Sequence, residues 1–473
     1  MCLGDDVADT SSDDHERMTI DSAHWQERLA LLADKHGVPG ANLAILAGGE
    51  VAEAAYGVLN QRTGVEVTTD SVFQIGSISK VWTATLVMQL VDEGRLDLDA
   101  PVVTYLPDFK VADAEVTRTV TIRHLLAHTS GIDGDHFLDT GRGDDCVAAY
   151  VTSCAELKQT HPLGATMSYC NAGYTVLGRV VEVLRKQTWD TVLRERLFTP
   201  LGLTQAGTLP EEALLHRAAV GHIRPPGGEL QVTPVWGIFR SAGPAGLIHA
   251  TPREVLKFAE LHLKDGLAPD GTRILSEQSA RAMREPQIEV PDQYTLGSHW
   301  GLGWILMNWS GREVYGHDGG TIGQSAFLRI VPDADVAVCL LTNGGHTQDL
   351  FRDLYNEILD ELTGIQLPAR PEPSSTPPKL DLDRYVGTYA RESITVTITR
   401  DGDRLSLTMK SSGPLAAALG GDQPPPLEVL PVAEDLLVAR QPGDESWMPL
   451  VFFRLADGTE YVHMGARATP KVS

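Results

Sequence analysis

The sequence predicts a large α+β domain, an antiparallel sheet flanked by helices and joined to an all-helical region, followed by a small all-β domain. Three observations carry this expectation. Helical and strand periodicities interleave through residues 21 to 366, a proline-rich run fills 367 to 379, and residues 380 to 473 read as short strands. A chain of 473 residues is long enough for two domains, each burying its own core.

The first twenty residues hold Asp5, Asp6, Asp9, Asp13, Asp14 and Glu16, without the basic and apolar stretches of a signal peptide. They are expected to form a disordered acidic tail, and the protein is expected to be cytoplasmic. Trp25, Leu29, Leu31 and Leu32 recur at helical spacing until Gly37, with Pro39 just beyond. Residues Ala41 to Ala55 read as two strands about Gly48-Gly49, with Leu43 and Ile45 on one face of the first. VWTATLVMQLVDEG, from Val81 to Gly94, is apolar nearly all round, which describes a buried central helix beginning close to Ser77. Residues Asn171 to Arg196 are helical in pattern, and Tyr315 to Asn343 return to strands, with a Pro332-Asp333 turn between two runs.

LPARPEPSSTPPK, with five prolines, has the composition of a stiff extended linker. After it, SITVTITRDGDRLSLTM is two strands about Asp401-Gly402, and the strand-like runs continue to the end. The second domain is thus about ninety residues of β structure, within the usual size range.

Composition narrows the function classes. At 42% hydrophobic and 22% charged residues, the chain is of the soluble globular type, and no apolar run reaches the length of a membrane span. With 39 Lys plus Arg against 63 Asp plus Glu, the net charge of −24 would repel nucleic-acid phosphates and anionic lipid. Cys2, Cys146, Cys154, Cys170 and Cys339 are an odd set without a C-x-x-C pair, so neither a disulfide framework nor a zinc knuckle is suggested. H-E-x-x-H, the P-loop pattern and G-x-S-x-G are all missing from the sequence, which removes the starting point for metalloprotease, P-loop and α/β-hydrolase chemistry. No metal or organic cofactor is called for.

Three short segments carry the chemistry. Ser77-Ile78-Ser79-Lys80 puts a lysine three residues after a serine at the start of a helix, on the same face. A desolvated lysine can take the proton of a serine hydroxyl, which is otherwise a weak nucleophile, and helix N-terminal N–H groups can hold an oxyanion. Tyr169-Cys170-Asn171 precedes the next helix. Its phenol is suited to shuttle a proton to a leaving group, and the Asn171 amide to grip a substrate carbonyl. Gly316-His317-Asp318-Gly319-Gly320 lies in strand pattern, where glycines such as Gly319 allow close substrate approach and a cationic or donating His317 can orient a carboxylate or the leaving group.

In this order the three segments resemble the S-x-x-K, Y-x-N and K-T-G triple of the serine β-lactamase and penicillin-binding protein superfamily. The resemblance spans roughly residues 20 to 365. It includes FQIGSISK, IRHLLAHTSGI, MSYCNAGYTVLGRVVE, AGLIHATPREVLKF and YGHDGGTIGQSAFLRIVPDADVAVCLLTN, phrases similar to the class C β-lactamase-like branch. It implies a β-lactamase/transpeptidase-like domain with a lipocalin-like β domain behind it. It also implies Ser77 as nucleophile, Lys80 and Tyr169 as proton-transfer partners, and Asn171, His317 and Gly319 as substrate-binding residues. The oxyanion hole would be the Ser77 N–H plus one from the strand after His317, with Gln324 and Ser325 as candidates.

His317 in place of the usual lysine resembles the D-aminopeptidases, the β-lactamase-like esterases and the penicillin-binding-protein-type thioesterases, and argues against a dedicated β-lactamase. Arg467, near the chain end, is a candidate partner for a peptide carboxylate. The expected activity is a serine acyl-enzyme hydrolase acting on peptide-type amide, ester or thioester bonds next to a D-residue. The alternative is a peptide cyclase or transpeptidase that releases nonribosomal peptides by macrolactamisation. A non-catalytic penicillin-binding-like sensor is a third reading, and the retained Ser77, Lys80 and Tyr169 speak against it. The partner is expected to be a peptide or acyl small molecule, free or delivered on a carrier protein.

Overall fold

A computed structural model describes residues 20–225, 228–412, 425–441 and 445–473. The acidic tail, with Cys2, lies outside the described residues apart from its last position.

The helix expected from the Trp25 stripe runs Ser22–Lys35, capped by the Asp21 carboxylate, and buries Trp25, Leu29, Leu32 and Ala33. The hairpin that follows, Gly40–Ala47 and Glu50–Asn60, pairs in the register Ala44↔Glu53. Its second strand outruns the expected end at Ala55 because Gly57, at φ +75°, lets the chain bend without stopping.

A nine-stranded antiparallel sheet organises the larger domain. Its order sets the first hairpin beside the last strand: Gly40–Ala47 pairs with Val336–Thr342, which pairs in turn with Gln324–Val331 and then Arg312–Thr321. All of Gly40–Ala47 and Val336–Thr342 is buried, as expected of central strands covered on both faces. Ser22–Lys35 and Thr347–Thr363 cover one face and are tied together by the Arg28–Glu357 and His36–Asp353 pairs. The helical region covers the other.

At the centre of that region, Ser79–Asp92 is buried over nearly its whole length, with Trp82 stacked on Phe258 at 3.8 Å between ring centroids. Asn171–Arg185 packs against it and ends at Lys186 in the left-handed conformation, φ +59°. The helical pattern therefore continues after a break, as Trp189–Leu193 capped by Thr188.

Residues 364 to 381 carry no regular element. Beyond them stands an eight-stranded antiparallel barrel with its own core, including Tyr385, Tyr389, Val396, Leu407, Leu450 and Phe452. It is nearly closed. Tyr389 bridges Lys471, and the Thr388 N–H donates to the Ser473 carbonyl at 2.8 Å, so the first and last strands meet. Among the described residues, no helix is long and apolar enough to cross a membrane.

Candidate active site

Ser77 lies in a short 3-10 turn, Gly76–Ile78, that runs straight into the Ser79–Asp92 helix. The turn is held from behind: the Ile75 N–H donates to the Ile248 carbonyl at 2.9 Å and the Ile248 N–H to Ser79 Oγ at 3.1 Å. Lys80 is on the same face as Ser77, and its Nζ donates to Ser77 Oγ at 3.0 Å and to the Ala245 carbonyl at 2.6 Å. The amine is fully buried. Burial, followed by the positive charge of Arg467, drives its pKa well below the ordinary lysine value, with Asp135 opposing. A lysine of this kind can stand neutral and accept a proton.

The Tyr169 ring is the meeting point of the site. Lys80 Nζ is 4.7 Å from its centroid, the Arg467 guanidinium 4.9 Å, and His128 stacks on it at 4.2 Å. The phenol faces Ser77 without a formed hydrogen bond, and burial raises it above the ordinary tyrosine value, so it stands protonated. It has a proton to donate.

His317 is 2% exposed and lies edge-on to Trp300, with ring centroids 5.5 Å apart. Its Nδ1 is 2.6 Å from the Asp318 carbonyl. A carbonyl oxygen only accepts, so Nδ1 carries the proton and Nε2 is left as a bare acceptor, buried and unpartnered. Burial first, and Lys80 second, hold the ring neutral, with a pKa lowered to about 3. The expectation of a cationic or donating His317 is therefore corrected: in this environment its free nitrogen accepts. Asp318 turns to the opposite face and pairs with Arg329.

The Gly319–Gly320 backbone runs against Ile75 to Ser77. A methyl at Gly319 would run into the Ile75 carbonyl, and one at Gly76 into the Gly320 nitrogen. The neighbouring strand Ile305–Trp309 stops pairing at Gly316, which leaves the edge from His317 onward open to the site. Neither Gln324 nor Ser325 reaches this place, contrary to expectation. Both lie on the partner strand, Ser325 opposite Gly320 and Gln324 opposite Thr321, whereas the Gly320 nitrogen itself lies against Gly76, next to Ser77. Gly320 is the residue of this strand positioned to offer a second N–H beside that of Ser77.

Asn171 and Arg467 both arrive at the site already engaged. Asn171 Nδ2 donates to Asp135 Oδ1 at 2.9 Å, and Arg467 binds the same carboxylate through Nη2 at 2.8 Å and Nε at 3.1 Å. Arg467 still presents a face to Tyr169, but its fork is occupied. Asp135, His128, Trp300 and Arg391 were not singled out from the sequence. His128 lies within the quoted phrase IRHLLAHTSGI and Asp135 three residues beyond it, whereas nothing marks Arg391, an arginine in a β hairpin.

Fold and site together define a β-lactamase/transpeptidase-like domain with a serine and lysine at its centre. The beta-lactamase family model matches residues 23–362, and the chain belongs to that family. It is 53% identical over 377 residues to "Penicillin-binding protein 4" of Amycolatopsis lactamdurans, covering 79% of this chain and 99% of the relative. Among solved structures it is similar to SurE, with 28% identity and a TM-score of 0.74 over 95% of this chain and 99% of that one. A D-stereospecific amidohydrolase from Streptomyces sp. has 26% identity and a TM-score of 0.57, covering 73% of this chain and 99% of its own.

Proposed function

We propose that this protein is a serine acyl-enzyme hydrolase that cleaves peptide-type amide, ester or thioester bonds next to a D-residue. The observation that carries the proposal is the 3.0 Å contact between Ser77 Oγ and the buried, pKa-depressed Lys80 amine. The D-preference is supported by similarity to a D-stereospecific amidohydrolase and to SurE, which has also been solved with D-Leu.

In this mechanism Ser77 Oγ attacks the substrate carbonyl as its proton passes to Lys80 Nζ. The Ser77 and Gly320 N–H groups hold the oxyanion. Tyr169 protonates the departing nitrogen, oxygen or sulfur and recovers its proton from Lys80. Water then attacks the acyl-enzyme, gives its proton to the same pair, and Ser77 Oγ leaves protonated. Asn171, His317 and Gly319 line the substrate's path, and residues 367 to 379 are the joint between the two domains.

A second reading replaces water with a peptide amine, giving cyclisation or transpeptidation. It is favoured by the enclosure of Lys80, Tyr169 and His317 at 0, 8 and 2% exposure, which leaves little room for bulk water. Intact-mass spectrometry separates the two, using a peptidyl thioester ending in a D-residue. Wild type should gain a transient acyl adduct that Ser77→Ala does not. Linear acid as product means hydrolase, and a product lighter by one water means cyclase. Activity persisting in Ser77→Ala would sink the nucleophile assignment.

A further inference from the structure

We infer that Asp135 is a positioning residue for the acylation step, gripped from the barrel by Arg391 and Arg467, so that the charge balance around Lys80 is set across the two domains. The inference rests on Ser77 and Lys80 acting as proposed above.

Five residues donate to the Asp133 to Asp135 segment from two directions. From the larger domain, Asn171 binds Asp135, and the Gly134 carbonyl accepts from the Ala172 N–H at 3.0 Å. From the barrel come the Arg467 fork and the Arg391 guanidinium on Asp135, while the Glu392 N–H donates to Asp133 at 2.5 Å. The side chains of Asp135 and Arg391 are 6% and 10% exposed, and that of Arg467 is 21% exposed, so these pairs are shielded from screening by salt. The same barrel turn that carries Arg467 places the Ala466 carbonyl on the Tyr169 N–H at 2.9 Å and the Ala468 N–H on Ser168 Oγ at 3.2 Å. Tyr169 is thus fixed through its main chain by one domain-crossing bond and over its ring by a guanidinium that Asp135 aims.

With Asp133 beside them, the two guanidiniums face two carboxylates, and of this set Asp135 favours the Lys80 ammonium while Arg467 opposes it. The other groups facing Lys80 are Ser77 in the preceding turn, the Ala245 carbonyl, Tyr169 and Cys170, Tyr174, His128 and His317. Burial keeps the phenols protonated and both imidazoles neutral, and it likewise raises Cys170, whose thiol stays uncharged. The balance among Asp135, Arg391 and Arg467 is therefore the part of the field that substitution can move. Removing the Asp135 charge disfavours the Lys80 ammonium further, whereas removing the Arg391 charge favours it.

The test is the pH profile of Ser77 acylation by the N-acetylcysteamine thioester of acetyl-D-phenylalanine, followed by intact mass in wild type, Asp135→Asn, Arg391→Gln and Arg391→Lys. Neutral Lys80 is the active form, so the acidic limb should move to lower pH in Asp135→Asn and to higher pH in Arg391→Gln, and stay in place in Arg391→Lys. The plateau rate should fall about tenfold in the first two. A limb that stays put in both charge-changing variants, or moves the same way in both, overturns the inference. If Asp135→Asn does not fold, the upward shift in Arg391→Gln and its absence in Arg391→Lys carry the test alone. Wild type forming no adduct would instead refute the Ser77 reading beneath it.

Discussion

His317 shows how one hydrogen bond fixes the chemistry of a residue. With Nδ1–H committed to the Asp318 carbonyl and the ring buried, Nε2 can only receive a proton or a hydrogen bond. Because its pKa is lowered to about 3, histidine-selective nitrogen NMR should show Nε2 unprotonated and unchanged across neutral pH. Titration of this ring near the ordinary histidine value would refute the assignment. A neutral acceptor prefers a substrate N–H over a carboxylate at this position, so β-lactam antibiotics, which carry a carboxylate, should acylate wild type more slowly than His317→Lys.

Lys80 yields a stability prediction of definite sign. Its folded pKa is depressed, so the unfolded chain binds the extra proton, and the penalty of burying the ammonium is full below the folded pKa and vanishes as pH rises to the unfolded value. Lys80→Met removes that penalty. Its melting temperature relative to wild type should therefore climb as pH falls, while Ser77 acylation drops about a hundredfold or more. A melting difference independent of pH would show that the amine is not held neutral.

At the scale of elements, the approach of the Arg312–Thr321 strand to the serine turn is set by glycine. Gly319→Ala should cost on the order of 2 kcal/mol and most of the activity, because the new methyl meets the Ile75 carbonyl. Gly320→Ala has open space at the same place and should be near neutral, with thermal melts and acylation rates giving the comparison.

The elements legible in the sequence were those with long local patterns. The Trp25 helix, the Gly48-Gly49 hairpin, the buried helix after Ser77 and the strands about Pro332 each carry their own period. Strands of two residues, such as Val65–Glu66, Ile288–Glu289 and His299–Trp300, show no period because they are defined only by their partners. Gly320 was missed for a related reason. A backbone donor has no side-chain signature, and its role appears only when the edge beyond Gly316 is seen to lie against Ser77. Asp135 and Arg391 meet across the two domains, a pairing that spacing within either domain cannot reveal.

For the molecule as a whole, the barrel's buried bonds to Asp135, Asp133, Tyr169 and Ser168 predict that the two cores unfold together. Calorimetry of wild type should give a single transition, and the double variant Arg391→Gln, Arg467→Gln should split it in two. Two transitions in wild type would mean that these contacts do not couple the cores.

The carbonyl of Ala466 on the Tyr169 N–H also has a meaning in time. A ribosome delivers Ser77, Lys80 and Tyr169 long before it delivers Ala466 and Arg467, so the nascent larger domain can fold with its tyrosine untethered. A chain truncated before Ala466 should therefore lack this tether on Tyr169, which limited truncation and acylation by intact mass would check.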